Sequence, residues 1–258
     1  MSATTATYRR LAGRRALVTG STSGIGRAVA EALAREGATV VVSGRNETAG
    51  AAVVEAITTA GGTAHFVAAD LAEGAAAVER LVAQATKAAE GPIDLLVNNA
   101  AQLIPAQSLL DVDEALLDRA LAVNVKAPAL LTKAVVPGML ESGSGAIINM
   151  GSINGTVGMA VAALYGATKA ALHSLTASWA AELAADGIRV NTVAPGPTMT
   201  PANAAFHDNL RQLTAGQPDR RPGTGEEVAA AVVFLAGDEA SHIHGATLPV
   251  DGGFLAAR

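Results

Sequence analysis

The sequence predicts an α/β domain, a doubly wound parallel sheet of about seven strands with helices on both faces. Three observations lead there. Short β-branched runs such as residues 39–43 (TVVVS) are continuous rather than alternating, as expected of strands covered on both sides. These runs alternate with segments whose apolar residues recur at helical spacing, for example Ile25, Val29 and Leu33. The alternation continues without a linker-like break, so residues 13–258 read as one domain behind a loose polar tail, residues 1–12.

Taken in order, residues 16–19 (ALVT) form the first strand, which Gly20 stops. The first helix follows and ends at Gly37; strand 39–43 comes next. Asn46 caps an alanine-rich helix running toward residue 60, and strand 64–69 follows Gly61-Gly62. A helix through Val78, Leu81 and Val82 ends near Gly91-Pro92, and residues 93–97 are the next strand. Segments 113–122 and 125–140 are helices joined through an irregularity at Asn124, with Pro128 tolerated in the first turn of the second. Strand 146–150, a long helix over 164–185 and strand 188–193 follow, and Pro195-Gly196-Pro197 breaks that strand. Helix 226–236 and strand 246–250 close the chain. Residues 200–222 are polar, aperiodic and too long for an ordinary connection, and read as a lid over a site.

Composition limits the function. With a net charge of -5, the chain lacks the basic surface of a nucleic-acid binder. It has no cysteine, which excludes thiol nucleophiles, disulfides and cysteine metal sites. The start, MSATTATYRRLAGRR, has no apolar segment after its basic residues, and no run of eighteen apolar residues occurs. The expectation is a cytoplasmic protein without a membrane span. His242 and His244 have no clustered carboxylates after them, so no metal site is expected.

Two constellations carry chemistry. The turn Gly20-Ser21-Thr22-Ser23-Gly24-Ile25-Gly26 lies between a strand and a helix. Its glycines allow a tight turn and close backbone approach to a pyrophosphate, which the helix N-terminus attracts. Glycines also serve ordinary turns, but the strand–turn–helix–strand context favours a dinucleotide site. The second strand ends in Ser43-Gly44-Arg45-Asn46, without the acid that bonds a free ribose 2′-hydroxyl. Arg45 suits a 2′-phosphate, so NADP(H) is preferred over NAD(H), the alternative. Further on, Tyr165 and Lys169 are four apart, on one face of the long helix. A phenol ordinarily titrates near ~10, and a neighbouring ammonium favours its ionised form, bringing it toward acid–base work.

Together TGSTSGIG (residues 19–26), Asp70-Leu71, NNAA (residues 98–101), Asn124, Ser152, Tyr165/Lys169 and Pro195-Gly196 resemble the short-chain dehydrogenase/reductase family, from Arg14 to GATLPVDGG at residues 245–253. The resemblance implies a Rossmann-type fold and hydride transfer between NADP(H) and a ketone or secondary alcohol, in outline like 3-oxoacyl-carrier-protein reductases. It implies Tyr165 as general acid, Ser152 orienting the substrate oxygen, and Lys169 holding the nicotinamide ribose and lowering the Tyr165 pKa. Asn124 would hold a water of a proton relay. Asp70, Leu71, Asn98 and Ala100 would lie along the adenosine half, and Pro195, Gly196, Thr198 and Thr200 around the nicotinamide. It also implies a homotetramer built on the alanine-rich long helix. The chain departs from the family's NNAG by carrying Ala101. An NAD-linked alcohol, sugar or steroid dehydrogenase, and a silent nucleotide-binding regulator, remain the alternative readings. The apolar Leu103, Ile153, Val161 and Phe206 point to a mainly apolar small-molecule substrate.

Overall fold

The computed structural model describes residues 9–257. The chain forms β1 (Arg15–Thr19), α1 (Gly24–Arg35), β2 (Thr39–Gly44), α2 (Glu47–Thr59), β3 (Thr63–Ala68), α3 (Ala75–Ala88) and β4 (Leu95–Asn98). There follow α4 (Glu114–Leu121), α5 (Ala127–Ser142), β5 (Gly145–Met150), α6 (Ala163–Leu183), β6 (Ile188–Pro195) and β7 (Thr198–Met199). The last elements are α7 (His207–Thr214), β8 (Gly223–Thr224), α8 (Gly225–Ala236) and β9 (Thr247–Val250). Seven strands make one parallel sheet in the order β3-β2-β1-β4-β5-β6-β9, so the winding reverses between β1 and β4.

Alternation along the strands builds two cores. Val18, Val40, Val42 and Ile148 point to the side covered by α1, α2 and α8, where they meet Val29, Leu33, Val53, Ile57 and Val232. Leu17, Val41, Leu96 and Ile147 point the other way, onto Leu81 of α3, Leu131 and Met139 of α5, and Leu183 of α6. Each of these large side chains contributes roughly 1.5–3 kcal/mol by leaving water.

Local chemistry sets the boundaries. Asn46 accepts the Ala49 N–H at 2.9 Å to start α2, and the Thr224–Glu227 capping box starts α8. Asn124 sits in a π turn, residues 122–126, between α4 and α5, so the expected irregularity is one extra residue in the helical ladder. The continuous helical stretch Glu114–Ser142 is long and apolar enough to cross a membrane by length and composition. Here Leu131, Val135 and Met139 lie in the sheet's core instead.

Three expectations need correction. Residues 1–8 of the proposed tail lie outside the described residues, but its last part is not loose: Leu11 is buried, its N–H bonds Glu36 O, and Arg10 pairs with Glu36. The apolar Leu11 side chain gains enough by packing to hold this part of the chain. β6, flanked by β5 and β9, runs on to Pro195, which pairs with Val250 as the last residue of the strand, where its missing N–H interrupts no further ladder. The aperiodic stretch 200–222 contains α7, and the β7–β8 pair, Thr198 with Gly223 and Met199 with Thr224, clamps its two ends together.

Candidate active site

A cleft of about 460 Å³ opens beyond the carboxyl ends of the strands, at the reversal between β1 and β4, where open α/β sheets hold ligands. Gly20, Thr22, Ser23, Gly24, Ile25 and Gly26 line one end, and Ser152, Tyr165 and Lys169 line the other. Arg45, Asp70, Leu71, Ala100, Pro195, Gly196, Thr198 and Thr200 also line it. One cavity thus gathers most of the residues singled out from the sequence.

The glycine turn is shaped by its neighbours. Gly20 and Gly24 are left-handed, with φ of +62° and +55°, a region that disfavours side chains. A β-carbon on Gly20 would also stand 2.8 Å from Ala100 Cα, and one on Gly26 would collide with Gly20 O and Asn99 Nδ2. Ser23 caps α1 without a side-chain bond to it, leaving the first N–H groups for an anion. Ser21 differs from expectation. Its hydroxyl is buried, donates to Val18 O at 2.6 Å and accepts from Ser43 N at 3.0 Å, joining β1 to β2 outside the cleft.

Arg45 is exposed at the cleft's edge and has no ion pair among the described residues. It borders a second depression with Thr22, Asn46 and Glu47. Asp70 accepts the Ala72 N–H at 3.0 Å, so part of its carboxylate is committed to its own turn. Asn98 does not reach the cleft. As the last residue of β4 it turns inward, where its Nδ2 donates to Asn149 Oδ1 at 2.9 Å. The residue after it, Asn99, does line the cleft and donates to Thr19 O and Gly20 O at 2.8 and 3.0 Å. The doubled Asn in NNAA was the available signal for it. Ala101 lines the cleft too, and its φ is not positive, so the methyl strains no backbone. A β-carbon on Gly196 would stand 2.8 Å from Asp251 Cα, which accounts for that glycine.

At the other end, Ser152 follows β5 and opens a single 3-10 turn, its Oγ accepting from Asn154 N at 3.2 Å. Lys169 is buried, donates from Nζ to Met150 O at 2.7 Å, and lies 5.6 Å from the centroid of the Tyr165 ring. Burial lowers its pKa from 10.5 to about 8. Burial also raises the Tyr165 phenol above its usual value, against a smaller lowering from its hydrogen bond with Ser152. Where a lowering by Lys169 was expected, burial is the larger influence on the phenol and its direction is upward. Asn124 is buried beneath the cleft rather than lining it. Its Oδ1 accepts Gln102 N at 2.7 Å, and its Nδ2 donates to Gln102 O and Thr168 Oγ1 at 3.2 Å each.

Sequence reasoning did not single out Arg119 of α4 or Asn203, both of which line the cleft. Asn203 accepts Thr200 N at 2.9 Å and donates to Thr198 O at 2.8 Å; a Thr-x-x-Asn helix start was its signal. Arg221 pairs with Asp219 and Glu227, so it is a loop charge already neutralised. His244 Nε2 meets Ser241 O at 3.3 Å.

A nucleotide-sized cleft at the sheet reversal, with a phenol, a hydroxyl and an amine at one end, defines a dinucleotide-type oxidoreductase. A family model described as enoyl-(acyl carrier protein) reductase matches residues 20–255. The chain is 38% identical to acetoacetyl-CoA reductase of Allochromatium vinosum, covering 94% of this chain and 98% of that one. It is 42% identical to cis-4-hydroxycyclohexanecarboxylate dehydrogenase of Sinomonas cyclohexanicum, over 94% and 97%. A crystal structure of 3-oxoacyl (acyl-carrier-protein) reductase from Agrobacterium tumefaciens, with NADP bound, superposes with a TM-score of 0.90 at 36% identity, over 96% of each chain. The chain belongs to the short-chain dehydrogenase/reductase family.

Proposed function

We propose that the protein is an NADP(H)-dependent ketoreductase, reducing a ketone to a secondary alcohol with Tyr165 as general acid. The observation that carries the reading is convergence: the Ser152 hydroxyl, the Tyr165 phenol and the buried Lys169 line one end of a cleft, and the glycine turn lines the other. The residues fit a dinucleotide. β-carbons would fill the backbone cradle at Gly20 and Gly26, the first turn of α1 keeps free donors, and Arg45 has no carboxylate partner among the described residues. The glycine turn would hold the pyrophosphate, Arg45 and Thr22 a 2′-phosphate, and Lys169 the nicotinamide ribose.

Bound NADPH supplies the hydride. Ser152 donates a hydrogen bond to the substrate carbonyl oxygen and fixes its position. Tyr165 gives the phenolic proton to that oxygen as negative charge develops on it. A phenol held above its ordinary pKa keeps its proton until then, which suits an acid. The Lys169 ammonium stabilises the phenolate left behind. The Asn124 side chain is committed to Gln102 and Thr168, so any part in returning the proton runs through its turn's backbone and a bound water.

NADP(H) preference is supported by Arg45, by the missing acid after β2, and by relatives with NADP bound. Leu103, Val161 and Phe206 are exposed on the loops and lid that flank the cleft and favour an apolar chain. With relatives named acetoacetyl-CoA reductase and 3-oxoacyl reductase, this supports a 3-oxoacyl thioester or a similar ketone as substrate. Exposed Ala170, Ala177 and Ala181 on α6 leave room for close helix packing and support a homotetramer. Light scattering of the purified protein at micromolar concentration checks this; a monomer rejects it.

The central test is Tyr165→Phe, with acetoacetyl-CoA as ketone. Turnover is expected to fall by about 10²–10⁴-fold, while NADPH affinity by fluorescence titration stays within about threefold. Turnover equal to the parent's removes Tyr165 from the mechanism.

A further inference from the structure

His173 is a titratable group that the mechanism above does not use. It lies on α6, one turn beyond Lys169, and is partly buried. The Ser152 N–H points at its Nε2 at 3.5 Å. The turn that carries Ser152 is cut to fit this ring. A β-carbon on Gly151 would collide with His173 Nε2 and with Thr192 Cγ2. One on Gly155 would stand 2.7 Å from His173 Cε1, and also against the α6 backbone. Neither glycine has a positive φ, so their lack of a side chain answers to space rather than to backbone conformation. Gly151, one residue before Ser152, and Gly155, three beyond it, thus admit one imidazole beneath it.

We propose that His173 is a positioning residue for Ser152: its neutral imidazole accepts the Ser152 amide hydrogen and holds the hydroxyl in place beside Tyr165. The inference rests on the ketoreductase reading. A ring that accepts at Nε2 carries its proton on Nδ1. On protonation both nitrogens become donors, the amide loses its acceptor, and a second cation stands near Lys169. The charged group acting on the ring is Lys169 of its own helix, and among the described residues no carboxylate opposes it. β6 offers Thr192 and the adjoining turn offers Ser152, neither of which ionises in this range. Burial, and then the Lys169 charge, hold the His173 pKa below the ordinary value. The ring is therefore neutral at physiological pH, and protonation in the acid range disarms Ser152. His173 would set an acid limb of turnover that Tyr165 and Lys169, titrating far above it, do not explain.

The test compares His173→Leu, which removes the acceptor, with His173→Gln, whose side-chain oxygen reaches the same place and does not titrate. Turnover of acetoacetyl-CoA with NADPH is followed from about pH 5 to 8. His173→Leu is expected to lose about tenfold in kcat, the worth of one hydrogen bond, with NADPH affinity within about threefold. His173→Gln is expected to recover most of that loss and to show no acid limb. Nitrogen-15 spectra of the histidines in the cofactor-free protein provide a readout free of substrate. The signal missing from His173→Gln should show the Nδ1–H tautomer and a depressed titration. Unchanged kcat and an unchanged acid limb in both variants overturn the proposal, as does an Nε2–H tautomer for His173. Tyr165→Phe, run alongside, separates the two failures. If it abolishes turnover while both His173 variants match the parent, the ketoreductase reading stands and only this inference falls. If it too matches the parent, both fall.

Discussion

The buried Lys169 lends itself to a prediction that needs neither substrate nor cofactor. Its ammonium is buried at one end of the cleft, where it donates to Met150 O at 2.7 Å. A lysine whose pKa drops from 10.5 in the unfolded chain to about 8 in the fold costs the native state roughly 3 kcal/mol while both forms are charged. The unfolded chain keeps its proton up to 10.5, whereas the native protein gives it up near 8. Between those values the unfolded state binds more protons, so native stability rises with pH. Lys169→Met has no such proton. The stability of the parent minus that of the variant should therefore climb by about 3 kcal/mol between about pH 7 and 10.5. Other titrating groups are common to both proteins and largely cancel in the difference. The assay is urea unfolding of cofactor-free protein, followed by circular dichroism at one fixed concentration, since subunit association shifts apparent stability. A difference, parent minus variant, that stays flat across this window or falls refutes the buried-ammonium account. Lys169→Met should also lose most of its turnover, so it would separate stability from activity at one residue.

Two further predictions concern the cofactor end. Arg45→Ala is expected to raise the Michaelis constant for NADPH by about tenfold or more and to leave that for NADH nearly unchanged, the loss of one charge-assisted phosphate contact. Kinetics with both cofactors test it, and a clear NADH preference in the parent would reject the role given to Arg45. Gly26→Ala puts a methyl against Gly20 O and Asn99 Nδ2. It should destabilise by about 1–3 kcal/mol through overpacking and weaken NADPH binding. Thermal unfolding and fluorescence titration check both, and parent-like values in each would mean the cradle is less tight than the geometry indicates.

Much of the fold was legible in the chain because its signals are local. A strand buried on both faces has to be apolar without interruption, as in Val40–Val42. A helix start has to satisfy its free N–H groups, as Asn46 does for Ala49. The interruption at Asn124 was readable as the join between two helical segments, 113–122 and 125–140, and the fold places a π turn there. Lid residues 200–222 were less legible: α7 has eight residues, too few for a firm period, and it is held by the β7–β8 clamp rather than by its own pattern.

The sequence by itself determined the alternating sheet, the glycine turn, the charge at Arg45, and the four-residue spacing that puts Tyr165 and Lys169 on one face. Each depends on chain neighbours alone. Only the tertiary structure decided which way a polar side chain faces and how dry its surroundings are. It turned Ser21 and Asn98 inward, brought Asn99 to the cleft, and tied Asn124 to Gln102 and Thr168. It also pushed the Tyr165 phenol upward where sequence reasoning expected the reverse, and set His173 beneath Ser152. The reason is that desolvation and cross-strand hydrogen bonds come from residues distant in the chain, and no local spacing encodes them.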